Sequence, residues 1–163
     1  MFLRPYTFSN IIFLNTVFIL IWHMLCFILC VICNPSIFAS SKRMFKARKW
    51  EKNGKWYEDK LLIKKWKDRL PQHIGKGGFS KQHFTSLSIE YIDTFIKETC
   101  RAEWDHAMSC IYIIITFVIS PIPIAIIFSV ITILANVPFL IIQRYNRFRL
   151  LRIRQKLSKA GKD

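Results

Sequence analysis

Glu103 and His106 are the two residues of this sequence whose types and spacing best suit chemistry. They are three positions apart in a segment whose pattern predicts a helix, so both side chains lie on one face, a single turn apart. A carboxylate that orients an imidazole is a familiar arrangement for moving protons. We interpret the pair as a candidate for general acid–base catalysis. The alternative is a histidine at the water–lipid boundary beside a solvated glutamate, and spacing alone leaves both open.

The helix that carries this pair is predicted by a stripe of side chains at alternating steps of three and four. The stripe is apolar at its start and polar at its end: Ile89, Ile92, Ile96, Thr99, Glu103, His106 and Cys110. Ser88 is the predicted N-cap, with Glu90 in the first turn. Glu98, Arg101 and Asp105 form a second, ion-paired face at similar steps. The stripe predicts that Glu103 and His106 point along a buried face.

Charge is confined to two blocks, which determines the class of protein. Of the 25 Lys and Arg residues, all but Arg4 lie within residues 42–101 or 144–162. Residues 11–33 contain no acid or base except His23, and residues 106–143 contain no further charge. A charge at the centre of a bilayer costs about 2.5–3.5 kcal/mol on insertion scales, so such stretches are typical of lipid-embedded segments. The sequence predicts an all-α integral membrane protein.

Segment lengths and basic flanks predict the topology. About 20 helical residues cross a bilayer, so residues 11–33 suit one crossing and residues 106–143 suit two. Pro121 and Pro123 mark the turn of a hairpin whose helices we predict at about 104–120 and 123–142. Basic segments favour the cytoplasmic side, which places the N-terminus outside and the C-terminus in the cytoplasm of a multi-pass cell-membrane protein. A single kinked crossing strands one basic block on the wrong side.

These features predict four segments. They are a signal-anchor helix (1–40), a basic and aromatic-rich cytoplasmic or interfacial segment (41–103), the transmembrane hairpin (104–143) and a basic cytoplasmic tail (144–163). A cleaved secretory signal at the N-terminus is the alternative to the anchor, although cleavage places the basic segment outside. The net charge of +15 is not evidence for nucleic-acid binding here, because the membrane topology already accounts for those basic residues.

A polar run follows the hairpin. Asn136 and Pro138 lie near the end of its second helix, and Arg144, Asn146 and Arg147 follow where that helix is predicted to have ended. Arginines there can bind phosphate or carboxylate as planar forks. An ordinary basic flank explains the charges equally well, but not the amides. The Glu-x-x-His motif also occurs in di-iron bundles, but no second copy is present, so neither a metal nor another cofactor is predicted.

Three stretches of the chain resemble the glycosyl-diaponeurosporenoate acyltransferases, small membrane proteins of Gram-positive bacteria that complete staphyloxanthin-type carotenoids. The matching residues are 50–56 with 65–67, 98–103 with His106, and 135–138 continuing through 143–147. The last stretch is the most specific, because nothing general about a membrane flank predicts its order. The resemblance spans most of the chain after the first helix.

The resemblance implies transfer of a fatty acyl chain from a thioester donor to a sugar hydroxyl of a glycosylated apocarotenoid. His106 would be the general base and Glu103 its orienting or charge-stabilising partner. Substrate-binding roles fall to Arg101, Asn136, Arg144, Asn146 and Arg147. The implied partners are membrane lipid, the glycosylated acceptor, the acyl donor and other biosynthetic membrane enzymes. The alternative is a non-catalytic membrane adaptor that binds anionic lipid and a partner enzyme, although an adaptor does not require the polar stripe.

Overall fold

The computed structural model describes residues 7–70 and 88–160, except the side chain of Ala160. His73, His83 and the glycines at 75, 77 and 78 lie outside the described residues. Within the described ranges every regular element is a helix and no strand occurs. The predicted all-α class is therefore confirmed.

In the described part of the chain, three helical stretches are long and apolar enough to cross a membrane. They span Phe8–Ile32, Ile89–Ile119 and Ile122–Lys159. Their outward side chains are large and apolar: Val118 is 80% exposed, Leu134 67% and Phe13 66%. Isolated exposed apolar residues are normal, but long helices covered with them require a lipid surround. The chain is a membrane protein, as its charge-free runs predicted.

The first membrane helix, α1, is Phe8–Ile32. The next long helix, α4, is Ile89–Ser109, and Ser88 caps it by accepting a hydrogen bond from the Tyr91 N–H at 3.1 Å. The predicted cap is therefore confirmed. The first helix of the hairpin was predicted as one element over about 104–120, which is wrong in detail, because a turn at residues 110–111 separates α4 from α5, Tyr112–Ile119. The chain then breaks at Ser120 and Pro121, as the prolines predicted.

The last helix, α6, extends from Ile122 to Ala160 and is longer than predicted. The sequence placed its end at about Ile142 and placed Arg144, Asn146 and Arg147 beyond it. All three lie inside the helix instead. The reason is local: residues 143–160 contain no Gly or Pro and are rich in Arg, Leu and Lys, which favour helix whether or not they face lipid. Pro138 lies within α6 without ending it.

The chain forms two compact units, of which the first comprises Met1–Cys33 and Ala102–Leu140. Buried Tyr112, Ile124 and Phe128 form its apolar cluster. Asn15 is 1% exposed, yet its amide is fully used. It donates to the Ser120 hydroxyl at 2.7 Å and accepts from the Thr116 hydroxyl at 2.8 Å. A polar side chain inside a membrane unit is tolerated when its hydrogen bonds are made internally.

The second unit comprises Asn34–Arg101 and Ile141–Asp163. Outside residues 71–87, the short elements of this unit are three 3₁₀ helices, Pro35–Phe38, Lys49–Gly54 and Lys67–Arg69, with two α-helices, α2 at Lys55–Leu61 and α3 at Ile63–Trp66. The helices α2 and α3 pack on the charged end of α6 through a cluster formed by Tyr57, Ile63, Ile142, Tyr145 and Phe148. Gly54 has φ +91°, and a Cβ there would lie 3.0 Å from the Phe148 Cβ, so this turn needs glycine.

Candidate functional site

The predicted stripe on α4 is buried along its middle part, with the catalytic candidates at its polar end, whereas Ile89 at its start is 40% exposed. Ile92, Ile96 and Thr99 are buried, and Glu103 is 7% exposed. His106 lies one turn further along and is half-buried. Its imidazole stacks on the Phe139 ring of α6, with centroids 5.3 Å apart and planes 19° apart. The prediction that Glu103 lies on the buried face is confirmed.

A hydrogen-bonded chain links His106 to two other helices of the first unit. The His106 Nδ1 lies 3.1 Å from Oδ1 of Asn136 on α6. The Asn136 Nδ2 lies 3.1 Å from Nε2 of His23 on α1 and donates to the Thr132 carbonyl at 3.0 Å. The His23 Nδ1 lies 2.8 Å from the Ile19 carbonyl. The two imidazoles are therefore connected through a single amide, which is 2% exposed as a residue.

One carboxylate oxygen near these imidazoles has no hydrogen bond. The Oδ1 of Asp105 is buried and finds no hydrogen-bond partner in the described part of the chain. The same carboxylate is close enough to interact electrostatically with His106 and His23. Buried polar atoms without partners are rare and concentrate at functional sites. Asp105 is therefore a third polar side chain beside the two rings.

His23 was not among the site residues predicted from the sequence. The signal was present, since His23 is the one titratable side chain of the first uncharged run except the cysteines. An ionisable residue inside a membrane helix suggests function by default. Its partner could not be read from the sequence, because Asn136 is 113 positions away.

A buried ion pair dominates the second unit. Glu51 is 0% exposed and receives a two-pronged contact from Arg144 of α6, with Nε directed at Oε1 and Nη2 at 2.9 Å from Oε2. The Tyr57 hydroxyl donates to Oε1 and the Arg48 N–H donates to Oε2, each at 2.6 Å. The Arg144 Nη2 also donates to the Lys46 carbonyl at 3.0 Å. The carboxylate therefore accepts four hydrogen bonds, and the guanidinium is held by both the carboxylate and a backbone carbonyl.

This network sets the protonation of its members. Burial opposes ionisation of Glu51, yet the hydrogen bonds from Arg144, Tyr57 and the Arg48 N–H together lower the pKa of its carboxyl below the ordinary value. Burial, and then the hydrogen bond to Glu51, raise the pKa of the Tyr57 hydroxyl. The pair is accordingly ionised and the phenol is neutral at physiological pH.

The remaining predicted binding residues also lie in the second unit. Arg147 is 1% exposed, contacts the Cys100 sulfur at 3.6 Å and lies 5.5 Å from the centre of the Phe45 ring. Arg101 pairs with Glu98 at 2.7 Å and lies 5.4 Å from the centre of the Phe38 ring. The ion pair of Arg101 with Glu98 confirms that part of the predicted charged face.

The structure thus groups the candidates in two sets. His106, Glu103 and Asn136 belong to the first unit, and His106 and Asn136 are hydrogen-bonded there. Arg101, Arg144, Asn146 and Arg147 belong to the second, where the last three are buried. Among residues 7–70 and 88–160 no group of three or more His, Cys, Asp or Glu side chains could hold a metal ion.

A family model and individual relatives both match this chain, and they carry the same description. The sequence model of the family described as glycosyl-4,4'-diaponeurosporenoate acyltransferase matches residues 41–156. Proteins of that name from Staphylococcus aureus strains MRSA252 and USA300 are each 32% identical to this chain over 120 residues, covering 72% of either partner. No solved structure matches the chain.

Proposed function

The chain belongs to the glycosyl-4,4'-diaponeurosporenoate acyltransferase family and is an acyltransferase; from this premise we propose that it esterifies a sugar hydroxyl of a glycosylated apocarotenoid, or a similar glycolipid, with a fatty acyl chain. The names of its relatives supply the class of acceptor. Membership of an enzyme family also weighs against the adaptor alternative.

The observation that carries the proposal is the half-buried imidazole of His106 on a membrane-crossing helix. It lies one turn from the buried carboxylate of Glu103 and is held by the amide of Asn136. Acceptor and acyl chain both partition into lipid, while the sugar and the thioester carbonyl lie near the headgroups. A base that serves such a reaction must be on a membrane helix near a polar boundary, and His106 lies where the apolar part of its helix begins.

The proposed step is a direct transfer. His106 removes the proton of the sugar hydroxyl as the oxygen attacks the thioester carbonyl. The new C–O bond forms, the C–S bond breaks, and the proton passes from the imidazolium to the departing thiolate. Glu103 orients or charge-stabilises the imidazole. We prefer direct transfer to an acyl-enzyme because the sequence gives no serine or cysteine an evident activating base.

The binding roles of Arg101, Asn136, Arg144, Asn146 and Arg147 remain proposals. Asn136, Arg144, Asn146 and Arg147 would contact the donor phosphates or the oxyanion formed at the acyl carbon, and Arg101 would contribute to substrate binding. Arg144 already directs its fork to Glu51, so we assign its main role to holding the second unit together. Asn136 lies against His106 and supports the site from within.

The test is production of an acylated carotenoid. Cells that make a glycosylated apocarotenoid are supplied with the gene, and mass spectrometry looks for the mass increment of a fatty acyl chain. We expect His106→Ala and Glu103→Gln each to reduce the product strongly at normal protein level, since a general base contributes about a hundred- to ten-thousand-fold. His73→Ala and His83→Ala, outside the described residues, are the controls. Wild-type acylation by the His106 variant would remove its catalytic role.

The proposed location is the cell membrane, with the N-terminus outside and the C-terminus in the cytoplasm. Reporter fusions after Cys33, at Ser120 and at Lys162 should report cytoplasm, outside and cytoplasm respectively. Fusions at Gly77 and Lys162 that report opposite sides would contradict the hairpin.

A further inference from the structure

We propose that His23 is a positioning residue that acts, together with the Thr132 carbonyl, through Asn136 to fix the proton of His106 on Nδ1, which leaves Nε2 as the basic nitrogen. The inference rests on the proposed function only for the use to which that nitrogen is put. The arrangement of protons follows from which atoms can donate and which can only accept.

The amide of Asn136 has one orientation. Its nitrogen is 3.0 Å from the Thr132 carbonyl, and a carbonyl oxygen can only accept. The reversed amide would place two oxygens against each other. Nδ2 therefore occupies the side that faces Thr132 and His23, and Oδ1 faces His106.

This orientation determines both imidazoles. The Ile19 carbonyl accepts from the His23 Nδ1, so that nitrogen carries a proton. The His23 Nε2 faces a donor, the amide N–H of Asn136, and must supply a lone pair. On the other side Oδ1 of Asn136 can only accept, so the His106 Nδ1 carries a proton. In the neutral ring of His106 the lone pair is then on Nε2.

This series of hydrogen bonds starts at a backbone carbonyl of α1 and ends at His106, the proposed base, on α4. An imidazole whose second nitrogen is held by an acceptor has a fixed tautomer and a fixed ring plane. The Phe139 ring stacked on His106 restricts the same plane. His23 and the Thr132 carbonyl thus both hold the Asn136 amide in the orientation that sets the tautomer of His106, and loss of His23 weakens that hold.

The tautomer of His106 can be measured directly. Full-length protein with ¹⁵N-labelled histidine in lipid bilayers is studied by solid-state NMR, with the His106 signals assigned by their loss in His106→Gln. We expect a neutral His106 ring protonated on Nδ1. A ring protonated on Nε2 would overturn the inference whatever the activity.

Variants at position 23 provide the second readout. His23→Gln retains a carbonyl that can accept from Asn136, whereas His23→Leu does not. We expect the Leu variant to lose about 10- to 100-fold in acyl transfer, as supporting partners of functional histidines do, and the Gln variant to recover part of the loss. In the Leu variant the ¹⁵N spectrum should show mixed tautomers of His106. An unchanged spectrum there refutes the coupling.

The two hypotheses fail in different ways. An Nδ1-protonated His106 in a protein whose His106→Ala variant still acylates would leave the tautomer assignment intact and remove the base role. An Nε2-protonated ring in an enzyme that needs His106 would do the opposite.

A separate observation in the second unit carries a second inference. A cavity of about 460 Å³ lies between α2, α3 and the charged end of α6. It is lined by four cations and two carboxylates, together with Tyr145, which leaves a net charge of +2: Lys64, Lys67, Arg149, Arg152, Glu58 and Asp68. We infer that this cavity binds a phosphate group.

The charges within the cavity are unevenly paired. Lys64 bonds Glu58 at 2.6 Å and Lys67 bonds Asp68, so these four largely neutralise each other. Arg152 is 4.0 Å from the same Glu58. Arg149 is exposed and makes no ion pair with the described residues. Two arginines one turn apart present planar forks to the oxygens of a phosphate group.

Two sources can supply this phosphate: a soluble thioester donor of the coenzyme A type, or an anionic lipid headgroup. The probes are coenzyme A titrated by calorimetry into protein in nanodiscs of phosphatidylcholine, and phosphatidylglycerol retained by the protein in native mass spectrometry. The double variant Arg149→Gln/Arg152→Gln is compared with Lys42→Gln/Arg43→Gln, an exposed pair outside the cavity.

We expect the cavity variant to weaken one of the two interactions at least about tenfold while the control pair leaves it unchanged. Loss of coenzyme A binding identifies the donor, and loss of phosphatidylglycerol identifies the lipid. If the cavity variant weakens neither interaction, or no more than the control pair does, no phosphate site exists there.

Discussion

Replacing Glu51 by Gln should destabilise the second unit by about 3–5 kcal/mol, the usual cost of removing one partner from a buried ion pair. The structure supports the upper part of that range. Glu51 is 0% exposed and the Arg144 side chain is 8% exposed, so water cannot replace the lost charge. Both oxygens of Glu51 accept hydrogen bonds, so the NH₂ group of a glutamine at this position would face a donor, from either Arg144 or Arg48, instead of an acceptor.

A double-mutant cycle tests this reasoning. Glu51→Leu/Arg144→Met removes both charges together, so it should cost less than the sum of its single substitutions. It should still cost something, because the Lys46 carbonyl loses the hydrogen bond from Arg144. The measurement is urea unfolding of the full chain in a neutral detergent, followed by tryptophan fluorescence, since Trp56 and Trp66 pack on the core of this unit. A loss under about 1 kcal/mol for Glu51→Gln, or strictly additive substitutions, would refute the ion-pair account.

Three further predictions concern stability. The pKa of Glu51 is lowered from 4.5 in the folded state, so its contribution to the free energy of unfolding is complete at neutral pH and disappears as the pH falls below that value. The urea midpoint of the wild type should therefore drop more steeply in acid than that of Glu51→Gln. Gly54→Ala should cost about 1–3 kcal/mol in the same assay, because φ +91° strains alanine and its Cβ meets Phe148; an unchanged midpoint contradicts this. Asn15→Leu should lower the thermal midpoint in detergent through loss of buried hydrogen bonds, while Thr16→Val, whose hydroxyl bonds only its own helix, should not.

The sequence by itself determined the features that depend on neighbouring residues. Hydropathy and charge spacing located the membrane helices, because burying a charge in lipid is costly wherever it occurs along the chain. The stripe from Ile92 to Glu103 predicted a buried face, and Ser88 predicted the start of that helix. Pro121 predicted the break before α6. Each depends on helical periodicity or on backbone chemistry within a few residues.

The predicted end of α6 was wrong. Arg144 to Arg149 were expected outside the helix because they were expected to leave the membrane there. A change of solvent does not end a helix, however, when the residues that follow are good helix formers. The end of a hydrophobic run and the end of a helix are separate events.

Only the tertiary structure paired His23 with Asn136 and Glu51 with Arg144, across 113 and 93 positions of sequence respectively. Which side chains of two packed helices meet depends on the depth and rotation of each helix, and these result from packing over the whole unit. A histidine in an apolar run therefore signals a buried partner without naming it. The amide that holds His106 and the carboxylate that holds Arg144 became identifiable only when distant helices were brought within hydrogen-bond distance.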